Sequence, residues 1–304
     1  MTLTRKKWIA AAATTLAAVL AVLTWPSAAT AAAKLRERPL GTPSDPSILI
    51  EWRGTAAGTD VLGRWARRGG DAVAVDITGI VDLVESGADP APARAALASY
   101  TASARKAGLR TYAVVGGATW SAHTYLPGIV AGQLAAYTAE HPDLPLSGVF
   151  YDVEPWTVTP FTDAAAAQWL TFAAAASSAH SGTQLHILAP WWIGAGSAPV
   201  TFNGATGTVA EHLGAITTAH PGGAAIDVMA YGRTSADMTS RLAGWTSLNA
   251  DWRLTAEIGP EPDGATLAGT SWNNIADAIN TTASGADTVP HFSGTTVDPA
   301  ASLP

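Results

Sequence analysis

The segment Ser147-Gly148-Val149-Phe150-Tyr151-Asp152-Val153-Glu154-Pro155-Trp156 decides how this chain is read. Along a strand, successive side chains alternate between faces, so Phe150, Asp152 and Glu154 share one side and Val149, Tyr151 and Val153 the other. If the valine side packs under helices, the two carboxylates point into an interior. That arrangement belongs to a strand of a parallel sheet flanked by helices.

Seven further apolar, β-rich runs repeat the theme, and longer Ala-rich or amphipathic stretches follow most of them. They are Ile48 to Trp52, Ala72 to Ile77, Arg110 to Val115, Gln184 to Ala189, Ile226 to Ala230, Arg253 to Ile258 and Thr288 to Phe292. The fourth run itself spans Gly148 to Val153. Between them, Pro90 to Lys106, closed by Gly108, and Thr162 to His180 carry the Ala and Leu content of helices. Eight strands with seven intervening helices predict an α/β fold, a single (β/α)8 TIM barrel; a doubly wound open sheet is the other arrangement of such units.

The first 33 residues are a different object. Arg5, Lys6 and Lys7 precede an apolar run from Trp8 to Leu23, and small residues follow up to Ala29-Thr30-Ala31. This is the pattern of a cleaved secretory signal peptide, and an export to the extracellular space is expected from it. The run is short for a span of about 20 residues, so no stable membrane insertion is expected after cleavage. Residues 34–47, rich in proline, read as an irregular leader, and 48–304 as the barrel.

The chain has 304 residues, 24 acidic against 17 basic side chains, and no cysteine. An acidic protein offers no diffuse positive field to a phosphate backbone, so nucleic acid is not an expected partner. Without disulfides, stability has to come from a core, and a monomer is expected. The seven His form no His-Glu-x-x-His pair, so no metal and no cofactor are expected.

In a TIM barrel the chemistry sits at the C-terminal ends of the strands. Asp152 and Glu154 end the fourth run there, and like charges a few Å apart raise one carboxyl pKa, which suits a general acid. The segment resembles the fourth-strand motif of family 18 glycoside hydrolases, the chitinases and endo-β-N-acetylglucosaminidases, which reads Asp-Gly-x-Asp-x-Asp-x-Glu. Val114-Val115-Gly116-Gly117 is similar to the third-strand Gly-Gly segment, and Asp227-Val228-Met229-Ala230-Tyr231 to the sixth-strand Met-x-Tyr motif. The resemblance implies hydrolysis of β-linked amino-sugar glycans. It makes Glu154 the acid that protonates the leaving oxygen, Asp152 the group that orients the substrate acetamido and Tyr231 its hydrogen-bond partner, with Met229 beside the sugar. Such enzymes are substrate-assisted exceptions to the two-carboxylate scheme. Ser147 and Phe150 stand where the motif has two further Asp, and the inner of these, at 150, shares a proton with the next Asp in the family. Gly232 stands where an Asp commonly follows the Tyr.

Leu254-Thr255-Ala256-Glu257-Ile258-Gly259 puts a second Glu at the end of the seventh run. Glu154 as acid/base with Glu257 as nucleophile is similar to the layout of retaining barrel glycosidases acting on neutral polysaccharides. An ion pair with Arg233 or Arg253 is another use for Glu257. Trp52, Trp120, Trp156, Trp191 and Trp192 fall at or just past strand ends, where aromatic faces can stack on sugar rings. Glu51, Asp76 and His291 complete the candidate substrate-binding set. A carbohydrate is the expected partner, and a barrel that binds sugar without cleaving it is the non-enzymatic alternative.

Overall fold

The computed structural model describes residues 39–40, 47–56, 58–194, 196, 198–260, 266–299 and 302–303. The signal peptide read at 1–33 lies outside these, as does the leader at 34–47 apart from Pro39, Leu40 and Ser47.

Eight parallel strands close on one another. In chain order they are β1 (Ser47–Glu51), β2 (Ala72–Asp76), β3 (Arg110–Gly116), β4 (Gly148–Asp152), β5 (Gln184–Pro190), β6 (Ala224–Met229), β7 (Trp252–Glu257) and β8 (Phe292–Asp298). Each pairs with its neighbours in sequence, and the ring closes where Ile48 of β1 aligns with Thr296 of β8. Helices α1 (Asp60–Arg67), α2 (Thr78–Glu85), α3 (Ala91–Lys106), α4 (Leu126–Glu140), α5 (Asp163–Ala179), α6 (Val209–Thr218), α7 (Ser235–Leu242) and α8 (Trp272–Ala286) occupy the gaps between strands, α2 and α3 sharing one. This is the expected (β/α)8 barrel. A two-stranded hairpin, Val200–Phe202 with Ala205–Gly207, is inserted after β5. No helix among the described residues is long and apolar enough to cross a membrane.

Local sequence accounts for the helix ends. Thr162 caps α5 by accepting from the Ala165 amide, and Thr208 forms a reciprocal capping box with Glu211 at the start of α6. After α3, Gly108 adopts φ +83°, a left-handed turn that suits glycine.

The alternation read along β4 is the alternation observed. Val149, Tyr151 and Val153 belong to the large apolar layer between sheet and helices, whereas Phe150 belongs to the smaller cluster inside the barrel with Ile48, Ile50, Ala74, Val114 and Met229. The outer layer is fixed by polar contacts as well as by packing: Trp169 of α5 donates to the Val153 carbonyl at 2.9 Å, and the Tyr151 hydroxyl meets His180 Nε2 at 2.7 Å.

The eighth strand departs from expectation. It begins at Phe292, where the predicted run ended, and continues through Ser293-Gly294-Thr295-Thr296-Val297-Asp298. Its polarity hid it, because two of its hydroxyls are spent inside the protein: Thr296 donates to Asp227 Oδ1 at 2.6 Å, and Thr295 meets Ser47 at 3.0 Å. His291, assigned to the mouth by sequence, precedes the strand in a left-handed conformation at φ +68° and meets Asp251 at 3.2 Å. It therefore sits at the opposite, N-terminal end of the barrel.

Candidate active site

The floor of the interior is a buried polar layer. Asp227 of β6 is contacted by His186 Nδ1 of β5 at 2.8 Å, Thr296 of β8 at 2.6 Å and Arg253 Nε of β7 at 3.3 Å. Burial by itself would raise the Asp227 carboxyl, yet His186, Arg253 and Thr296 outweigh it and hold it below the ordinary range. Burial lowers His186 against the pull of Asp227, and since an ionised carboxylate only accepts, the 2.8 Å contact is a bond donated by His186 Nδ1–H. Arg253 turns its two terminal nitrogens to the carbonyls of Ser293 and Thr295, each at 2.6 Å.

Above this floor the strand ends bring carboxylates together. Asp152 follows Phe150 on the inward face of β4. Its carboxyl is held well above the usual carboxylate range, first by burial and then by the charges of Glu154 and Asp298. Its Oδ1 is buried without a hydrogen-bond partner. Glu154 stands just past the strand; Pro155 bars the helical region to the residue before it, and Glu154 accordingly adopts φ −113°, ψ 68° before the turn Pro155–Thr157. Gly116 of β3 makes room for this corner, since a Cβ there would lie 2.0 Å from the Asp152 carbonyl oxygen and 3.2 Å from its Cβ.

Tyr231, two residues past β6, packs against the inner cluster. Burial raises its phenol well above the ordinary value, and Asp298, Asp152, Glu257 and Glu154 add to the effect in that order. Tyr231 is thus within electrostatic reach of four carboxylates at or just past the ends of β4, β7 and β8. Glu257 is buried at the end of β7, where its Oε1 accepts from the Gly259 amide. Met229 lies in the inner cluster below Tyr231.

Asp298 is the member that sequence reading missed. It ends β8 in register with Glu257, is almost fully buried, and its Oδ1 accepts from the Trp52 indole N–H at 2.8 Å. An acid closing the β-branched run Thr295-Thr296-Val297 was the available signal.

The other predicted residues divide. Trp52 is half-buried and packs on the inner cluster. Asp76 ends β2; burial raises its carboxyl, opposed by bonds from Thr78, whose amide donates at 2.8 Å. Trp156 is half-buried and meets Phe161, Trp169 and Trp192 edge-to-face, each at 5.7 Å between centroids. Trp192 also meets Phe161, and Trp191 carries the Arg241 guanidinium 5.1 Å above its ring.

Two placements correct the sequence reading. Glu51 is fully buried on the outward face of β1, where Arg53 binds it at 2.7 Å, and so it belongs to the sheet–helix layer. Odd positions of β1 face outward because Ile48, Ile50 and Trp52 face inward. Trp120 is buried in the outer apolar layer against Gly117, whose missing Cβ leaves space for the indole.

No protein-family model matches the sequence, and no curated protein matches it. In fold the chain is similar to a GH18 chitinase from Pseudoalteromonas aurantia, at 12% identity over 83% of this chain and 93% of that one, with a TM-score of 0.53. It is similar to the glycoside hydrolase family 5 enzyme PbGH5A from Prevotella bryantii B14, at 12% identity over 86% and 92% of the two chains and a TM-score of 0.54. A family 1 β-glucosidase from Thermotoga maritima gives 9% identity over 86% and 89%, with a TM-score of 0.53. At these identities the likeness is one of fold.

Proposed function

We propose that this protein is an exported glycoside hydrolase of the family 18 type, cleaving β-linked amino-sugar glycans. The observation that carries the reading is that Asp152, Glu154 and Tyr231 lie at one half-buried, acidic strand-end cluster. Side-by-side carboxyls in a desolvated corner cannot both ionise cheaply, so a proton is kept where a leaving oxygen can take it. Glu154 is the acid that protonates the glycosidic oxygen. Tyr231 and Asp152 hold the acetamido group, whose oxygen attacks the anomeric carbon in place of a protein nucleophile. Trp52 and Trp156 offer apolar surface to the sugar rings. Similarity in fold to a GH18 chitinase agrees with the reading without selecting it, since family 5 and family 1 barrels fit equally well.

Glu257 supports a second reading, because it lines the same cluster around Tyr231. There Glu154 is the acid/base and Glu257 the nucleophile on a neutral polysaccharide. Digestion of a glycan library with the protein and with Glu154→Gln, read by mass spectrometry, separates the cases. Cleavage confined to N-acetylated sugars and lost in the variant supports the first reading. Cleavage of unacetylated glycans that Glu257→Gln abolishes supports the second, and binding without turnover would leave a carbohydrate-binding barrel.

A further inference from the structure

The mouth of the barrel is acidic, and the indole of Trp52 sets an apolar surface into it. Trp52 stands one residue past β1 on the inward face, where it packs on the inner cluster and is half-buried. Its N–H, the one polar group of the side chain, donates to Asp298 Oδ1 at 2.8 Å. A tryptophan whose N–H is already bonded shows only apolar ring to a ligand.

The bond crosses the seam where the ring of strands closes. Ile48 is level with Thr296 and Leu49 with Val297, so Ile50 comes level with Asp298, and Trp52 stands two residues, about 6–7 Å, farther toward the mouth. The indole therefore leans back across the seam to reach β8. Asp298 is a firm anchor for it, being almost fully buried, with its own carbonyl accepting from the Ile258 amide at 2.6 Å. Because an N–H bond lies in the plane of its ring, packing on the inner cluster and a bond at the edge together settle both torsions of the Trp52 side chain.

We propose that Asp298 is a positioning residue, which fixes the Trp52 indole as the platform for a pyranose ring. This role rests on the glycosidase function proposed above. Strand β1 stands three strands round the ring from β4, so a sugar stacked on Trp52 lies across the mouth from Glu154. Its C–H face meets the indole, and its hydroxyls are left for the carboxylates of the mouth. A platform that is immobile before substrate arrives spares binding the entropy of ordering it. Asp298 touches Trp52 rather than sugar, and its contribution is to binding rather than to proton transfer.

The test compares two replacements of Asp298. Asp298→Asn keeps a side-chain oxygen able to accept, and Asp298→Ala does not. In the whole protein without substrate, the Trp52 indole N–H signal of a 1H–15N spectrum, identified by its loss in Trp52→Phe, is expected to be protected from solvent exchange. Exchange should quicken about tenfold or more in Asp298→Ala and stay near the native rate in Asp298→Asn. With a glycan substrate, KM should rise about 3- to 10-fold in Asp298→Ala, by more than kcat falls, and Asp298→Asn should recover most of that loss. An unprotected native indole, or one whose exchange the alanine leaves unaltered, overturns the proposal. So does a fall in kcat with KM unmoved, or an asparagine variant as impaired as the alanine one, since charge rather than the bond would then be at work. Should Asp298→Ala fail to fold, the native exchange rate and the KM of Asp298→Asn still decide. If the indole behaves as expected and no glycan is bound or cleaved, the anchoring of Trp52 by Asp298 stands, and the glycosidase reading falls together with the platform's part in it.

Discussion

Phe150 lies flat on His186, with ring centroids 4.0 Å apart and 11° between the planes, and Tyr112 stands edge-on to both at 5.5 and 5.4 Å. This stack separates the polar floor around Asp227 from the carboxylates above it. An acid at position 150 would stand beside the buried Asp227 system; an aromatic ring there packs flat on the buried imidazole instead. The position that a further acid holds in the family 18 motif is thus filled here by aromatic packing.

Truncating the stack should be expensive. Phe150→Ala removes a fully buried ring and leaves a cavity over His186, for an expected loss of about 3–5 kcal/mol in urea unfolding. A loss below about 1 kcal/mol would show that the interior collapses readily and that the ring does not seal the floor.

Gly116→Ala tests how closely the Gly-Gly segment of β3 is fitted to the site. The added Cβ meets backbone rather than a flexible side chain, so the end of β4 must move. Stability should fall by about 1–3 kcal/mol, and turnover should fall more steeply than stability because Asp152 and Glu154 are displaced together. Activity that merely tracks the melting curve would argue against a fitted corner.

Glu154→Gln keeps shape and removes the proton, so kcat should drop by about 10²–10⁴-fold with the thermal melt unchanged. If Tyr231 holds the acetamido oxygen as proposed, Tyr231→Phe should cost about 10²-fold. Retention of full activity in Glu154→Gln would remove the acid assignment.

The barrel was legible because seven of its strands are short apolar runs separated by helix-forming stretches, and period-2 alternation correctly turned Phe150 and Asp152 inward. Strand β8 was not, because Thr295 and Thr296 serve buried hydrogen bonds rather than apolar packing, and Asp298 went unseen with it. Glu51 shows a different limit. A carboxylate at a strand end reads as a mouth residue until the inward positions of Ile50 and Trp52 fix it on the other face. Trp120 looked like a sugar platform because its burial against Gly117 is a tertiary fact that its distance from β3 does not reveal.

Acid stability should be governed partly by His180. Burial, helped by the nearby His220, lowers its pKa to about 4 from 6.5. A base depressed in the folded state binds fewer protons there than in the unfolded chain, so its contribution is full above pH 6.5 and is lost as pH falls toward 4. His186 acts in the same direction. The loss attributable to His180 is about 3 kcal/mol at most, and His180→Gln should flatten that limb of a stability-against-pH curve. An unaltered limb in the variant would place the acid sensitivity elsewhere.

Asp152 carries the opposite sign and separates stability from function. Its carboxyl is raised in the folded state, so the fold favours the protonated form, and stability declines as pH rises from the ordinary aspartate pKa through the raised one. At neutral pH the protein bears the cost of an acid that burial, Glu154 and Asp298 all disfavour as an anion. Asp152→Asn removes the titration while keeping the shape, and is expected to raise the melting temperature at pH 7 while leaving it nearly unchanged at pH 4. Turnover of an N-acetylated substrate should fall in the same variant. A variant destabilised equally at both pH values would mean that the Asp152 carboxylate is held by donors inside the fold, and the assignment of a burial-raised carboxyl would fall.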